Sequence, residues 1–221
     1  MGTGGGSSHR ATARTFGHMP TNLTGFRDFA TQAQAAVWHE ANHYSSAVWH
    51  AMSVAERHGI REYTGNAYDP MNTSLREGFM PSADTQRLID GATTGLSRFR
   101  AAENMMAFRG ANLHWTANLL GGTEAQMSDP AFLRSRIGKT VVDRGFMSSG
   151  THRSSAFGNQ VQYTIFVHKG VSGMYVDPIS HFMGEHEFLF NRDTYFKVHQ
   201  IKTDSNGRIV ELVLEAKRSG H

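Results

Sequence analysis

The chain has 221 residues, 39% of them hydrophobic, with 14 Phe and 3 Trp, which allows one domain with a real core and excludes a disordered chain. It has no cysteine, so neither disulfides nor thiolate chemistry is available, and no apolar run approaches the roughly 18 residues of a membrane span. A net charge of +3 with scattered Lys and Arg leaves no nucleic-acid footprint, and no secretory signal is recognisable at the N-terminus.

Residues 1–20 are rich in Gly, Ser, Thr, Arg and His and read as a flexible leader, leaving 21–221 as the folded domain. Over 26–58, Phe29, Ala33, Val37, Ala41, Tyr44, Val48 and Met52 recur at three- and four-residue steps. That spacing predicts one or two amphipathic helices, with Gly59 as their stop. Residues 61–76 read as a turn and a short helix with many polar groups. A further helix is expected over 82–102, with Ser82 as N-cap. After Met105 the pattern changes to short strands at 106–109, 140–147, 161–167, 185–190, 195–202 and 209–216. A turn at Asp204-Ser205-Asn206-Gly207 joins the last two. Helices first and strands later imply an α+β fold.

Several short stretches are candidates for chemistry. Glu185 and Glu187 stand two apart, which on a strand gives both carboxylates one face and pushes one pKa upward. The alternative is a solvated strand edge. Arg109-Gly110 ends an apolar strand and suits a bidentate grip on phosphate, or is a surface arginine. Ser148-Ser149-Gly150 opens a polar loop around Phe157. A serine there can orient a carboxylate, and the ring either stacks on a flat ligand or tucks into the core.

In this order, Arg109, Ser148-Ser149 and Glu185-x-Glu187 resemble the signature of clostridial-type mono-ADP-ribosyltransferase toxins, with Gly150 where a serine is usual. Tyr63-Thr64-Gly65-x-x-Tyr68-x-x-Met71-Asn72 is similar to that family's helix motif, with Met71 for isoleucine. Ser155-Ala156-Phe157 resembles its nicotinamide-contacting loop. The run from Ile179 to Glu185 resembles its approach to the acidic pair.

The resemblance implies an N-terminal helical region followed by two packed antiparallel β-sheets with a central NAD cleft. It implies NAD as substrate and no metal. Glu187 would stabilise the oxocarbenium-like transition state, Ser148 would hold Glu187, and Glu185 would act on the acceptor. Arg109 would bind the diphosphate, with Gly110, Ser149, Tyr63, Tyr68, Asn72 and Phe157 lining the dinucleotide site. Phe182 would meet the target. A second basic residue after Arg109 and one after Phe157 are both absent, and Arg153 and Lys169 are the candidates to substitute. Glu-x-Glu implies an arginine acceptor by default, on actin first and a small GTPase second. A monomeric effector is implied, secreted or delivered into a host cell's cytosol, with a delivery component as a further partner and neither membrane nor nucleic acid.

One motif points elsewhere. His39-Glu40-Ala41-Asn42-His43 matches the zinc-metalloprotease pattern, two imidazoles one helical turn apart with a glutamate base. The competing expectation is an amphipathic helix with two partly exposed histidines. A domain of the transferase fold that binds without turnover is a third reading.

Overall fold

The computed structural model describes residues 12–22, 25–156 and 158–217. Helix starts fall at short polar side chains that accept the first free backbone N–H groups. Thr31 caps α1 (Gln32–His43), Ser45 caps α2 (Ser46–Ala51), and Ser53 caps α3 (Val54–Glu62). The Ser53 cap is reciprocal, because the Glu56 carboxylate accepts the Ser53 N–H at 2.7 Å. A π-helical turn, Tyr63–Ala67, links α3 to α4 (Tyr68–Glu77), and Ser82 caps α5 (Ala83–Leu96) as expected.

Gly59 does not stop a helix. A Cβ there would lie 2.4 Å from the Ala92 backbone nitrogen, and one at Gly91 would lie 2.2 Å from the Ala55 carbonyl oxygen. These two glycines bring the backbones of α3 and α5 into contact, and α3 runs on to Glu62. The continuation matters because it delivers Tyr63 and Thr64 to the site described below.

The strands are β1 (Thr15–Gly17), β2 (Met105–Ala111), β3 (Thr140–Asp143), β4 (Met147–Gly150), β5 (Val161–Val167), β6 (Gly173–Tyr175), β7 (Glu187–Phe190), β8 (Thr194–Thr203) and β9 (Ile209–Lys217). Between β2 and β3 lie α6 (Leu113–Leu120) and α7 (Pro130–Arg136). Among the described residues the strands form one path, β1-β8-β9-β5-β2-β4-β7-β6, with β3 paired to β8. The two expected sheets are its two halves, joined at a single residue pair, Phe108 on β2 and Gly150 on β4. They are not wholly antiparallel, since β5 and β9 run parallel.

Both halves contribute to one core, with Met105 and Ala107 of β2, Phe188 and Phe190 of β7, and Phe196, Val198, Leu212 and Leu214 of β8 and β9. The helical region covers the other face of the β4-β7-β6 half, packing Ile60, Met71, Ile89 and Leu96 on Phe146, Met174 and Leu189. No helix among the described residues is long and apolar enough to cross a membrane.

Three boundaries differ from expectation. Thr15–Gly17, inside the expected leader, pairs with Gln200, Ile201 and Lys202 of β8 as an edge strand. The strand expected over 140–147 is two strands that join different partners, β3 on β8 and β4 on β7. Glu185 precedes β7 rather than lying on it, because His186 takes a left-handed φ of 51° and turns the chain.

Candidate active site

Three neighbouring strands at the joint between the halves carry the motif residues. Arg109 sits near the end of β2, Ser148 in β4 and Glu187 at the start of β7, where it pairs with Gly150. Arg109 Nη1 donates to the Ser148 backbone carbonyl, which ties the first strand to the second. All three side chains line one cleft of about 540 Å³, together with Gly110, Glu185 and Phe182. That volume falls within the range of small-molecule sites, about 300–1,000 Å³.

The opposite wall is built from the π-helical turn and α4, which contribute Tyr63, Tyr68, Asn72 and Arg76. The break between β3 and β4 is what holds this wall in place. Asn72 Oδ1 accepts the Phe146 N–H at 2.9 Å, and Asn72 Nδ2 donates to the Tyr63 hydroxyl at 3.0 Å. Tyr63 in turn donates to the Phe146 carbonyl at 3.1 Å. Arg76 forms a two-pronged pair with Asp143, each bond 2.8 Å, and also donates to the Phe146 carbonyl. The Phe146 N–H and C=O are thus spent on the helical wall rather than on a neighbouring strand, and the chain leaves the sheet at residues 144–146.

Glu187 is buried, and its Oε1 has no hydrogen-bond partner among the described residues. Burial pushes its carboxyl up to about 7, a hydrogen bond from the Ser148 side chain opposes the rise, and the charge of Glu185 adds to it. Partial burial, then the nearby charge of Asp177, raises Glu185 as well. Burial pushes the Tyr63 phenol up to about 12. A buried acid beside a fixed arginine in a cleft is the arrangement that perturbed functional groups adopt.

Not every expected residue lines the cleft. Ser149 is buried, and its hydroxyl donates to the Phe188 carbonyl at 2.8 Å, so it fastens β4 to β7. Phe157 lies outside the described residues. Arg153 stacks over Phe108, with its guanidinium 4.7 Å from the ring centroid, and Lys169 is exposed near the turn after β5, so neither reaches the cleft. The second cation there is Arg76, whose side chain is 5% exposed. It lies four residues after Asn72, on the same helix face, which was the available signal. Trp115 on α6 also lines the cleft and lies under the Arg76 guanidinium at 5.2 Å. Asn159 completes this side by donating to the Gly110 carbonyl.

Gly150, where the resembling signature has a serine, cannot accept a side chain. A Cβ there would lie 2.7 Å from the Ser155 Cβ, because the loop after β4 closes directly over it. Ser155 Oγ is buried without a partner among the described residues and shares a recess with Arg109 and Glu187.

The histidine motif does not form a metal site. His39 and His43 face inward with Nδ1 atoms 3.1 Å apart, and His43 Nε2 accepts the Ala102 N–H at 2.9 Å. Trp38 and Phe188 rings pack against the pair, while Glu40 is exposed to solvent. No group of three His, Cys, Asp or Glu able to hold a metal occurs among the described residues. The histidines are therefore core residues, more buried than expected.

Residues 35–219 match the sequence model of the ADP-ribosyltransferase exoenzyme family. The chain is 25% identical over 210 residues to mono-ADP-ribosyltransferase C3 from Clostridium botulinum D phage, covering 88% of this chain and 80% of the relative. It is 31% identical over 176 residues to secreted exoenzyme S of Pseudomonas aeruginosa, covering 76% of this chain and 35% of that larger protein. In fold it is similar to C3stau2 from S. aureus, solved with NAD, at a TM-score of 0.69 and 17% identity over 89% of this chain and 100% of the other.

Proposed function

The chain belongs to the ADP-ribosyltransferase exoenzyme family, and from that premise we propose that its cleft passes ADP-ribose from NAD to an arginine of a host protein, with Glu187 as the central catalytic group. The observation that carries this reading is Glu187 itself. It is a buried carboxylate with one free oxygen, held between strands and facing a cleft that also contains Arg109 and Arg76.

Arg109 and Arg76 supply positive charge for the NAD diphosphate. Arg76 is already fixed by Asp143, so little further ordering is needed on binding. Tyr63, Tyr68 and Asn72 line the dinucleotide from the helical wall. On the family resemblance, Ser155 and Phe157 meet the nicotinamide end. As the C1′–N bond breaks, nicotinamide leaves with the bonding pair and positive charge spreads over C1′ and the ring oxygen. The Glu187 carboxylate stabilises that charge, and its free Oε1 accepts a ribose hydroxyl. Burial, with the Glu185 charge adding to it, raises the Glu187 carboxyl to about 7, and the cationic nicotinamide ring of bound NAD favours the carboxylate. A guanidine nitrogen of the acceptor then attacks C1′ and loses its proton to Glu185, whose raised basicity suits the task.

Phe182, which lines the cleft and is 53% exposed, supports contact with the target there. Actin is the first target to test and a small GTPase the second, with the protein acting as a monomer in the host cytosol after secretion or delivery. Incubation with labelled NAD and a host-cell lysate, followed by mass spectrometry, tests the reading. One labelled band modified at arginine is the expected result. Label on asparagine or cysteine would overturn the arginine acceptor, and no nicotinamide release with or without lysate would favour a non-catalytic binding domain.

A further inference from the structure

Glu185 lies at the end of a loop, residues 177–186, that leaves β6 and returns as β7. The loop is closed at its base by the Val176 N–H, which donates to the Glu187 carbonyl at 3.0 Å. The two residues that flank Glu185 both hold positive φ, 95° at Gly184 and 51° at His186. That conformation is uncommon for a non-glycine residue, and surrounding hydrogen bonds offset its cost.

The enforcing group is one oxygen. Asp177 Oδ1 accepts the N–H of Gly184 and the N–H of His186, each at 2.9 Å, so the backbone is pinned on both sides of Glu185. The second oxygen faces the His186 ring at 3.7 Å, and the Tyr175 hydroxyl meets that same ring nitrogen at 3.1 Å. Asp177 does not line the cleft, and both of its carboxylate oxygens face groups of its own loop.

We propose that Asp177 is a positioning residue for the transfer step: its carboxylate clamps the turn that aims Glu185 at the acceptor. The proposal rests on the transferase reading above. A further consequence is electrostatic, because the Asp177 charge raises both Glu185 and Glu187 and so favours a stronger base at the acceptor.

Two variants separate the clamp from the charge. Asp177→Ala removes both, while Asp177→Asn keeps an amide oxygen able to accept both N–H groups. Each is assayed with labelled NAD for incorporation into host-lysate protein, and without lysate for nicotinamide release to water. Asp177→Ala is expected to lower protein labelling by about tenfold or more while hydrolysis falls by less than about threefold. Asp177→Asn should restore labelling to within about threefold of the parent and move the acid limb of its pH profile to lower pH. Equal labelling by Asp177→Ala and the parent would overturn the proposal, as would parallel loss of labelling and hydrolysis. Should Asp177→Ala not fold, Asp177→Ser, whose hydroxyl is too short to accept both N–H groups, takes its place with the same two assays, and labelling equal to the parent's would overturn the proposal. A parent protein that releases no nicotinamide would instead remove the transferase reading on which the proposal stands.

Discussion

At the residue scale, the site sets function against stability at Glu187. Its folded-state carboxyl is raised from 4.5 to about 7, so the folded protein binds this proton more tightly than the unfolded chain does. The stability it contributes is fully present below pH 4.5 and is lost as pH rises through 7. Glu187→Gln mimics the protonated form. At pH 8 the variant should be more stable than the parent by about 3 kcal/mol (the rise from 4.5 to about 7, at roughly 1.4 kcal/mol per pH unit), and the difference should vanish below about pH 4.5. Thermal melts at the two pH values check this, and equal melting temperatures at pH 8 would contradict it.

The residues legible in the sequence were those whose spacing carries chemistry. Arg109, Ser148 and Glu187 could be singled out because the resembling family uses the same types in the same order, and all three line the cleft. Arg76 was legible only as a residue on the Asn72 face of its helix, because its importance comes from Asp143, 67 residues away, which only the fold brings within 2.8 Å. Ser149 looked like its neighbour Ser148 but points away, since alternate residues of a strand face opposite sides.

At the scale of elements, α1 carries an acid-sensitive lock. Burial lowers His39 from 6.5 to about 2 and His43 from 6.5 to about 4, with the His43 charge further lowering His39 and the nearby Glu103 partly opposing the fall at His43. Both folded-state values lie below the unfolded one, so protons bind preferentially to the unfolded chain. Stability is full above pH 6.5 and falls as pH drops below it, toward 4. At pH 5.5 each histidine costs about 1.4 kcal/mol relative to neutral pH. His39→Leu removes one titrating group, so the stability difference between pH 7.5 and pH 5.5 should shrink by about that amount. Denaturant unfolding at both pH values measures it, and an unchanged difference would show that α1 is not the lock.

The contact of α3 with α5 is a second element-scale dependence. Gly91→Ala gains helix propensity but drives a methyl group onto the Ala55 carbonyl, 2.2 Å away. Overpacking of about 1–3 kcal/mol should dominate and lower the melting temperature by about 2–4 °C per kcal/mol. A rise would contradict the backbone contact. Sequence spacing misread Gly59 for the same reason: a glycine kept for close approach looks identical, in one dimension, to a glycine that ends a helix.

At the scale of the whole molecule, the α+β class and the run of strands were legible from periodicity, while the joining of two half-sheets through Phe108 and Gly150 was not. Local alternation gives a strand's faces but not its partner, and the break at residues 144–146 depends on α4 docking from elsewhere in the chain. That joint is where the cleft opens, so the same contact that makes one sheet of two halves also assembles the site. A chelator should leave activity unchanged, because the motif histidines are locked in the core and the cleft acids have no metal-binding third partner among the described residues.

Nicotinamide release from NAD by the parent protein and by Glu187→Gln, with NAD binding measured alongside, is the most direct test. Release should fall by about 10²–10³-fold while NAD affinity is retained. Release that survives the substitution would contradict Glu187 as the group that stabilises the breaking glycosidic bond.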